Sequence, residues 1–337
     1  MRRLGWCIAW ILLLCSPLLV ASDATETTPP GIGAGLFAQR GLDARATALG
    51  GASAAAPQGP ATGYYNPAGL MSLDGLSIGG LYCQPYGEAF GSTYQYASVL
   101  GPLGVQTSSS TPWGAAVTWM ESRIGEIQLW DEQGSAGVTE ATGSVYLASV
   151  GFRVPGVDVL RFGASVKHYG ARLLEGRGRG FGFDLAGIGT GYLGDLRLDV
   201  GLNLMDVGST TVRWTSLSGE TDNVIPMTVK VGLAARPMAE VLVLSDLDWM
   251  IGRHARDQEV HFGLEFRPVP FLALRGGWAG TLERGGTFTL GVGVRVVGLL
   301  TLDYAYMPAT VFGASHLLSA TVDLSSIVGK TGAVTPE

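Results

Sequence analysis

Short stretches of alternating apolar and other residues constrain the fold of this chain more than any other feature. Residues 195–206 place Leu196, Leu198, Val200, Leu202 and Leu204 on one face, and Arg197, Asp199, Gly201 and Asn203 on the other. The alternation recurs in 157–170, 258–267, 286–296 and 315–325. A period of two is that of a β-strand with one apolar face. At about ten residues each, these strands are long enough to cross a membrane at a tilt.

The N-terminus and the hydropathy indicate where such strands are used. Arg2 and Arg3 precede the apolar residues 6–20 and the small-residue site Val20-Ala21-Ser22, so residues 1–22 are predicted to be a signal peptide. No later apolar run approaches the roughly 18 to 20 residues of a membrane-spanning helix, yet the mean hydropathy is +0.28. An exported chain of this kind must build a large core or turn its apolar side chains to lipid as a closed β-barrel.

The lengths of the connections favour the barrel. Fourteen strands are predicted, at 74–83, 92–99, 113–121, 142–153, 157–170, 180–191, 195–206, 224–235, 240–250, 258–267, 270–279, 286–296, 299–307 and 315–325. Connections are short at 154–156, 192–194, 236–239 and 298, and longer at 171–179, 207–223, 251–257 and 280–285. Outer-membrane barrels have this even strand number and this alternation. We therefore predict an all-β, fourteen-stranded antiparallel transmembrane barrel over 74–325, followed by a polar tail, 326–337.

Two stretches have a different character. Residues 23–73 are rich in Ala, Gly and Ser and contain too few large apolar residues for a core of their own, so they are predicted to plug the barrel lumen. Within 100–141, the assignment of residues 123–130 stays open between an extra strand and an external hairpin that continues its neighbours.

Charged residues on the inward faces are predicted to form an ion-pair network that holds the plug, since buried charges are normally paired. The predicted network is Arg161, Arg197, Asp199, Asp246, Asp248, Glu265, Arg267, Arg275, Arg295, Asp303 and Asp323. Within it, Asp246 and Asp248 share one strand face, and their spacing also suits cation binding or acid-base chemistry.

Several function classes are excluded or disfavoured. A formal charge of -6 argues against nucleic-acid binding, which requires a basic face. The four histidines are scattered without metal-ligand spacing, and no nucleophile and base converge, so we predict neither an enzyme nor a cofactor.

Several motifs together resemble the PorV/PorQ family, within the FadL-like outer-membrane barrels. They are Gly41–Ser53, Tyr64–Leu70 with its Asn-Pro-Ala-Gly element, Phe181–Leu185, Leu202–Gly208 and Leu302–Tyr306. The resemblance implies a fourteen-stranded barrel with an N-terminal plug in the outer membrane of a Gram-negative-type bacterium, surrounded by its lipid. It implies one of two functions. FadL-like members pass hydrophobic small molecules through the barrel wall, whereas PorV-like members serve type IX secretion by binding exported protein cargo.

The element Asn66, Pro67, Ala68 and Gly69 lies where the plug must become the first strand. Pro67 fixes its own φ and favours an extended Asn66, and Gly69 has the widest backbone freedom. We predict a rigid elbow at the inner barrel wall. Two roles stay open for it, a lateral gap between strands for an apolar ligand and a simple plug-to-barrel turn.

Overall fold

The computed structural model describes residues 43–324, apart from 74, 86–90, 104–112, 132–133, 218, 252–257, 282–284, 297 and 309–312. The predicted signal peptide, residues 23–42 of the predicted plug and the tail 326–337 lie outside the described residues. Within the described part, no helix is both long and apolar enough to span a membrane.

Sixteen antiparallel strands make up most of the described chain. They are β1 (Ser77–Gln84), β2 (Thr93–Pro102), β3 (Trp113–Asp131), β4 (Gly134–Val154), β5 (Val157–Leu173), β6 (Gly176–Leu193), β7 (Leu196–Met205), β8 (Thr210–Ser216), β9 (Gly219–Ile225), β10 (Thr228–Met238), β11 (Val241–Met250), β12 (Glu259–Val269), β13 (Leu272–Thr281), β14 (Gly285–Val296), β15 (Leu300–Met307) and β16 (Ser315–Asp323).

Fourteen of these strands close into a barrel. Each pairs with its neighbour in the chain, β7 pairs with β10, and β1 pairs with β16 from Ser77↔Asp323 to Gln84↔His316. The remaining two, β8 and β9, form a hairpin that pairs with β6 only at residues 177–180. The predicted fourteen-stranded antiparallel barrel is confirmed, and each of its strands overlaps a predicted one.

The structure decides one open assignment and corrects two predicted connections. Residues 123–130 continue β3, which pairs with β4 as far as Asp131↔Gly134, so the hairpin alternative is the right one and there is no extra strand in this stretch. The predicted long connection 207–223 contains most of the β8–β9 hairpin. The predicted long connection 171–179 is mostly strand, because β5 and β6 stay paired to Leu173↔Gly176. Beyond the lipid-facing band, the strands continue as paired hairpins, and no lipid-facing alternation marks these extensions in the sequence.

The faces predicted from the alternation agree with the side-chain exposure. Leu202 on β7 is 42% exposed, whereas its neighbour Asn203 is fully buried. The same holds on β12, where Phe262 is 49% exposed and Glu265 is buried. Large exposed apolar side chains continue round the wall on Phe183, Leu233, Leu264, Leu290 and Leu318. Such a band on a closed barrel is the surface that meets lipid.

Leu202→Arg should therefore make the folded barrel less stable in lipid vesicles by about 2 to 4 kcal/mol, because it places a charge near the middle of the lipid-facing wall. The conservative Leu202→Met should stay within about 1.5 kcal/mol of wild type. Urea titration of folding into vesicles measures both, and equal stability of the two variants would contradict a lipid-facing Leu202. Asn203 is not a tolerant comparison site, because its amide is buried and donates to the Tyr65 carbonyl at 2.9 Å.

Residues 43–73, named here the lumenal segment, lie against the inner wall of the barrel. The segment contains α1 (Ala44–Ala48), α2 (Thr62–Tyr65) and a 3-10 helix (Pro67–Ser72). The Asp43 side chain caps α1 by accepting from the Ala46 N–H at 3.2 Å. Nearly all of the segment is buried, although it carries few large apolar residues. The plug role predicted for 23–73 stays a prediction.

Glycines of the wall permit this close approach. An ideal Cβ on Gly277 would lie 2.0 Å from the Gly50 nitrogen, and one on Gly201 would lie 2.1 Å from the Ala54 oxygen. Six more wall glycines would clash with backbone or Cβ atoms of the segment in the same way: Gly114, Gly151, Gly163, Gly232, Gly263 and Gly291. Any side chain at these positions would displace the segment, which accounts for part of the glycine content of 51 residues.

Candidate functional site

The lumen has three layers. At the end with the long connections, inward side chains are apolar and aromatic. The lumenal segment crosses the middle of the barrel, and charged side chains surround a cavity at the end with the short connections. The inward-facing residues of the strands line the first and third layers, so the residue types on those faces determine whether each layer is apolar or charged.

The apolar layer, named here the apolar chamber, is a packed cluster of buried side chains contributed by several strands. Its buried side chains include Tyr94 and Tyr96 of β2, Met120 of β3, Val145 and Leu147 of β4, and Leu317 of β16. Tyr64 and Tyr65 of the lumenal segment belong to the same cluster, with their rings edge to face at 5.2 Å. Val212 and Ile225 of the β8–β9 hairpin are buried in the same cluster. The interior of an outer-membrane barrel is ordinarily polar, so this apolar lining distinguishes the chain.

A buried ion cluster lies beside the apolar chamber. Lys167 of β5 is 2% exposed and pairs with Asp184 of β6 at 2.7 Å and with Asp206 at 3.1 Å. The Tyr169 hydroxyl donates to Asp206 at 2.8 Å. This cluster was not predicted from the sequence, because its members are far apart in the chain. Asp184 and Asp206 do occur within the resemblance motifs Phe181–Leu185 and Leu202–Gly208, and this is the signal that could have identified them.

Hydrogen bonds fix the lumenal segment to the wall. Asp246 of β11 accepts from the Ser53 and Ala54 N–H groups at 2.7 and 2.8 Å. The Tyr96 hydroxyl donates to Asp43 at 2.8 Å. Burial raises the pKa of the Asp43 carboxyl, and this hydrogen bond partly offsets the rise.

The predicted elbow lies on the inner wall. Asn66 is extended, its side-chain oxygen accepts from the Ala68 N–H at 3.0 Å, and Pro67 begins the 3-10 helix. The Asn66 amide donates to the Ala54 carbonyl at 2.8 Å and approaches the Leu202 carbonyl of the wall at 3.3 Å. Gly69 packs against Pro57. The β6–β7 pairing beside the elbow runs unbroken from Leu185↔Leu204 to Leu193↔Leu196, so the wall is closed there.

The charged layer surrounds a cavity of about 490 Å³, named here the arginine cavity. Glu265 holds three guanidinium groups, those of Arg45 at 3.1 Å, Arg275 at 2.7 Å and Arg267 at 2.8 Å. Arg275 also contacts Asp303 at 2.6 Å.

Asp199 holds a second group of three arginines: Arg161 at 3.6 Å, Arg197 at 3.1 Å and Arg236 at 2.8 Å. Arg295 lines the same cavity and is exposed to it, and Asp323 is another lining residue. Of the predicted network, Arg161, Arg197, Asp199, Glu265, Arg267, Arg275 and Asp303 thus fall into these two groups of ion pairs.

The two remaining network aspartates lie elsewhere. Asp246 binds backbone N–H groups, as described above, and Asp248 pairs with Lys230 and faces His261 Nε2 at 3.3 Å. Asp248, Glu259 and His261 place one potential ligand atom each within 4.8 Å of one another. Because Lys230 already neutralises Asp248, this arrangement has a complete explanation as an ion-pair cluster.

The sequence matches no protein-family model and no curated protein. Solved structures do match. The TodX monoaromatic hydrocarbon channel, as a deltaS2 mutant, aligns with a TM-score of 0.56 at 13% identity, over 84% of this chain and 98% of that one. A FadL homologue of Pseudomonas aeruginosa gives 0.55 at 12% identity, over 84% and 98%. The toluene transporter TbuX of Ralstonia pickettii gives 0.54 at 16% identity, over 85% and 98%.

These solved structures share the fold of this chain. The chain has the fourteen-stranded architecture of the FadL-like outer-membrane channels, as the resemblance implied. The narrower PorV/PorQ assignment is not supported by these comparisons, and neither is the secretion alternative with its protein cargo, since the neighbours are described as channels, transporters or FadL homologues. A closed barrel with an apolar outer wall and this architecture is an outer-membrane protein.

Proposed function

We propose that this barrel passes hydrophobic small molecules across the outer membrane of a Gram-negative-type bacterium. The observation that carries the proposal is the apolar chamber, an aromatic and aliphatic lining in a position where barrels are ordinarily polar. The neighbours described as hydrocarbon or toluene channels give it further support. Binding sites for small apolar ligands are concave and lined by such side chains.

The layering of the lumen suggests a route. A hydrophobic ligand gains free energy by leaving water for the apolar chamber and would lose it again in the arginine cavity. The lumenal segment lies between the two. We therefore propose that the ligand leaves the chamber sideways into the membrane, and that the wall must open transiently, because the strand pairing beside Asn66 is closed.

Leu147→Asn tests the chamber. Leu147 is 1% exposed and faces the lumen on β4, and an amide of similar size makes the chamber less favourable for a hydrocarbon by about 1 to 3 kcal/mol. We expect the initial rate of toluene uptake by intact cells to fall about tenfold at equal amounts of assembled barrel. Thr301→Asn, in the arginine cavity, is the matched control and should leave the rate unchanged. Equal rates for Leu147→Asn and wild type would refute a path through the chamber.

A further inference from the structure

We propose that the arginine cavity binds a phosphate-type dianion, which enters from the short-connection end of the barrel. This proposal concerns the charged half of the lumen and does not depend on the passage of hydrophobic molecules.

The lining of the cavity carries an excess of positive charge. Seven arginines line the cavity: Arg45, Arg161, Arg197, Arg236, Arg267, Arg275 and Arg295. The acidic groups that line it or pair with these arginines are Asp199, Asp303, Asp323 and Glu265. Three positive charges are left in excess within a partly enclosed space. A partly enclosed space lined by an excess of one sign of charge concentrates ions of the opposite sign, so the cavity favours an anion.

The two shared carboxylates, Glu265 and Asp199, have both oxygens engaged, whereas the guanidinium groups around them keep unused donors. Both oxygens of Glu265 are used, Oε2 by Arg45 and Arg275 and Oε1 by Arg267. Each guanidinium group has five N–H donors, and here three such groups share a single carboxylate. Donors are therefore left over in both groups of arginines.

Arg45 shows this excess most directly. It is only 5% exposed and lines the cavity, and its Nη2 atom is buried with no hydrogen-bond partner among the residues that the structure describes. Its Nε and Nη1 atoms are directed to Glu265 and to the Ala56 carbonyl. A buried donor without an acceptor is costly, and an oxyanion in the cavity supplies acceptors.

The shape of the donors selects the class of anion. A guanidinium fork matches two oxygens of a phosphate or carboxylate, and such charge-assisted pairs are about twice as strong as neutral hydrogen bonds. Two groups of three arginines with an excess of three charges suit a dianion with several oxygens better than a spherical monovalent ion. The volume of about 490 Å³ leaves room for the ion and its bridging waters.

Isothermal titration of the purified barrel in a zwitterionic, phosphate-free detergent tests the proposal. At pH 8 and constant sodium chloride, we expect saturable binding of inorganic phosphate in the millimolar range or tighter. Glycerol 3-phosphate is the second probe. Binding of both indicates a site that accepts phosphate esters such as lipid headgroups, and binding of phosphate alone indicates a site for the free ion.

Two variants separate binding from folding. Arg45→Gln removes the buried donor, and the double variant Arg197→Gln with Arg267→Gln removes two side chains that are about 40% exposed, so that its fold is retained. Each should weaken phosphate binding at least tenfold. Arg213→Gln, on the β8–β9 hairpin outside the cavity, should bind as wild type does. Absence of saturable binding to the folded wild type, or equal weakening by Arg213→Gln, would overturn the proposal.

Discussion

Gly277→Ala is expected to destabilise the folded barrel by about 3 kcal/mol, or to expel the lumenal segment from it. A Cβ at this position would lie 2.0 Å from the Gly50 nitrogen and 2.3 Å from the Leu49 carbonyl carbon. Both atoms belong to the backbone, so no side-chain rotation relieves the contact. Overpacking of this kind is destabilising even when a single methyl group is added. Folding into lipid vesicles under urea measures the loss of stability, and single-channel conductance in planar bilayers detects a displaced segment.

The neighbouring residue provides a matched control. Gly276 faces outward on the same strand, and a Cβ there would come no closer than 3.9 Å to Leu290. Gly276→Ala should therefore fold and conduct as wild type does. If both variants behave alike in both measurements, the lumenal segment does not occupy the position described here.

Glu265→Gln is expected to lower the free energy of unfolding by about 3 to 5 kcal/mol, because it leaves the guanidinium groups of Arg45, Arg267 and Arg275 without their shared carboxylate. Arg45 belongs to the lumenal segment and Arg275 to the wall, so the loss also detaches the segment on this side. We expect a lower midpoint of urea denaturation together with an increase in conductance.

Glu259→Gln is the control for this experiment. Glu259 begins the same strand, β12, but its side chain is 62% exposed, so its single weak contact with His261 contributes little. The variant should keep the midpoint of wild type within about 0.5 kcal/mol. Equal effects of the two substitutions would show that Glu265 has no special role in holding the arginines.

The barrel was predictable from the sequence because lipid imposes a strict pattern. Each membrane strand must show one apolar face, so residues such as Leu202 and Phe262 identified both the strands and their orientation. Outside the membrane this constraint ends. The extension of β3 through residues 123–131 pairs with β4, and the β8–β9 hairpin buries Val212 and Ile225, so neither shows the lipid-facing alternation that identified the membrane strands.

The site was predictable only in part, because its contacts join residues far apart in the chain. The inward charges were recognised from the strand alternation, but the grouping of three arginines on Glu265 depends on strand register and on Arg45, which lies 220 residues away. The pairing of Lys167 with Asp184 and Asp206 likewise depends on which strands are neighbours in the barrel. Nothing in the sequence distinguishes the wall glycines that contact the lumenal segment from the other glycines. Gly276 and Gly277 are adjacent in sequence, yet they face lipid and lumen respectively.

The measurement that tests the account most directly compares the uptake of two solutes by intact cells with and without the barrel. One solute is radiolabelled toluene, and the other is a polar solute of similar size, such as arabinose. We predict that the barrel raises the initial rate of toluene uptake severalfold and leaves that of arabinose unchanged, because under the proposed function the apolar chamber admits the first, and in its predicted plug role the lumenal segment blocks an aqueous path for the second. Equal acceleration of both solutes, or of neither, would contradict a channel for hydrophobic molecules.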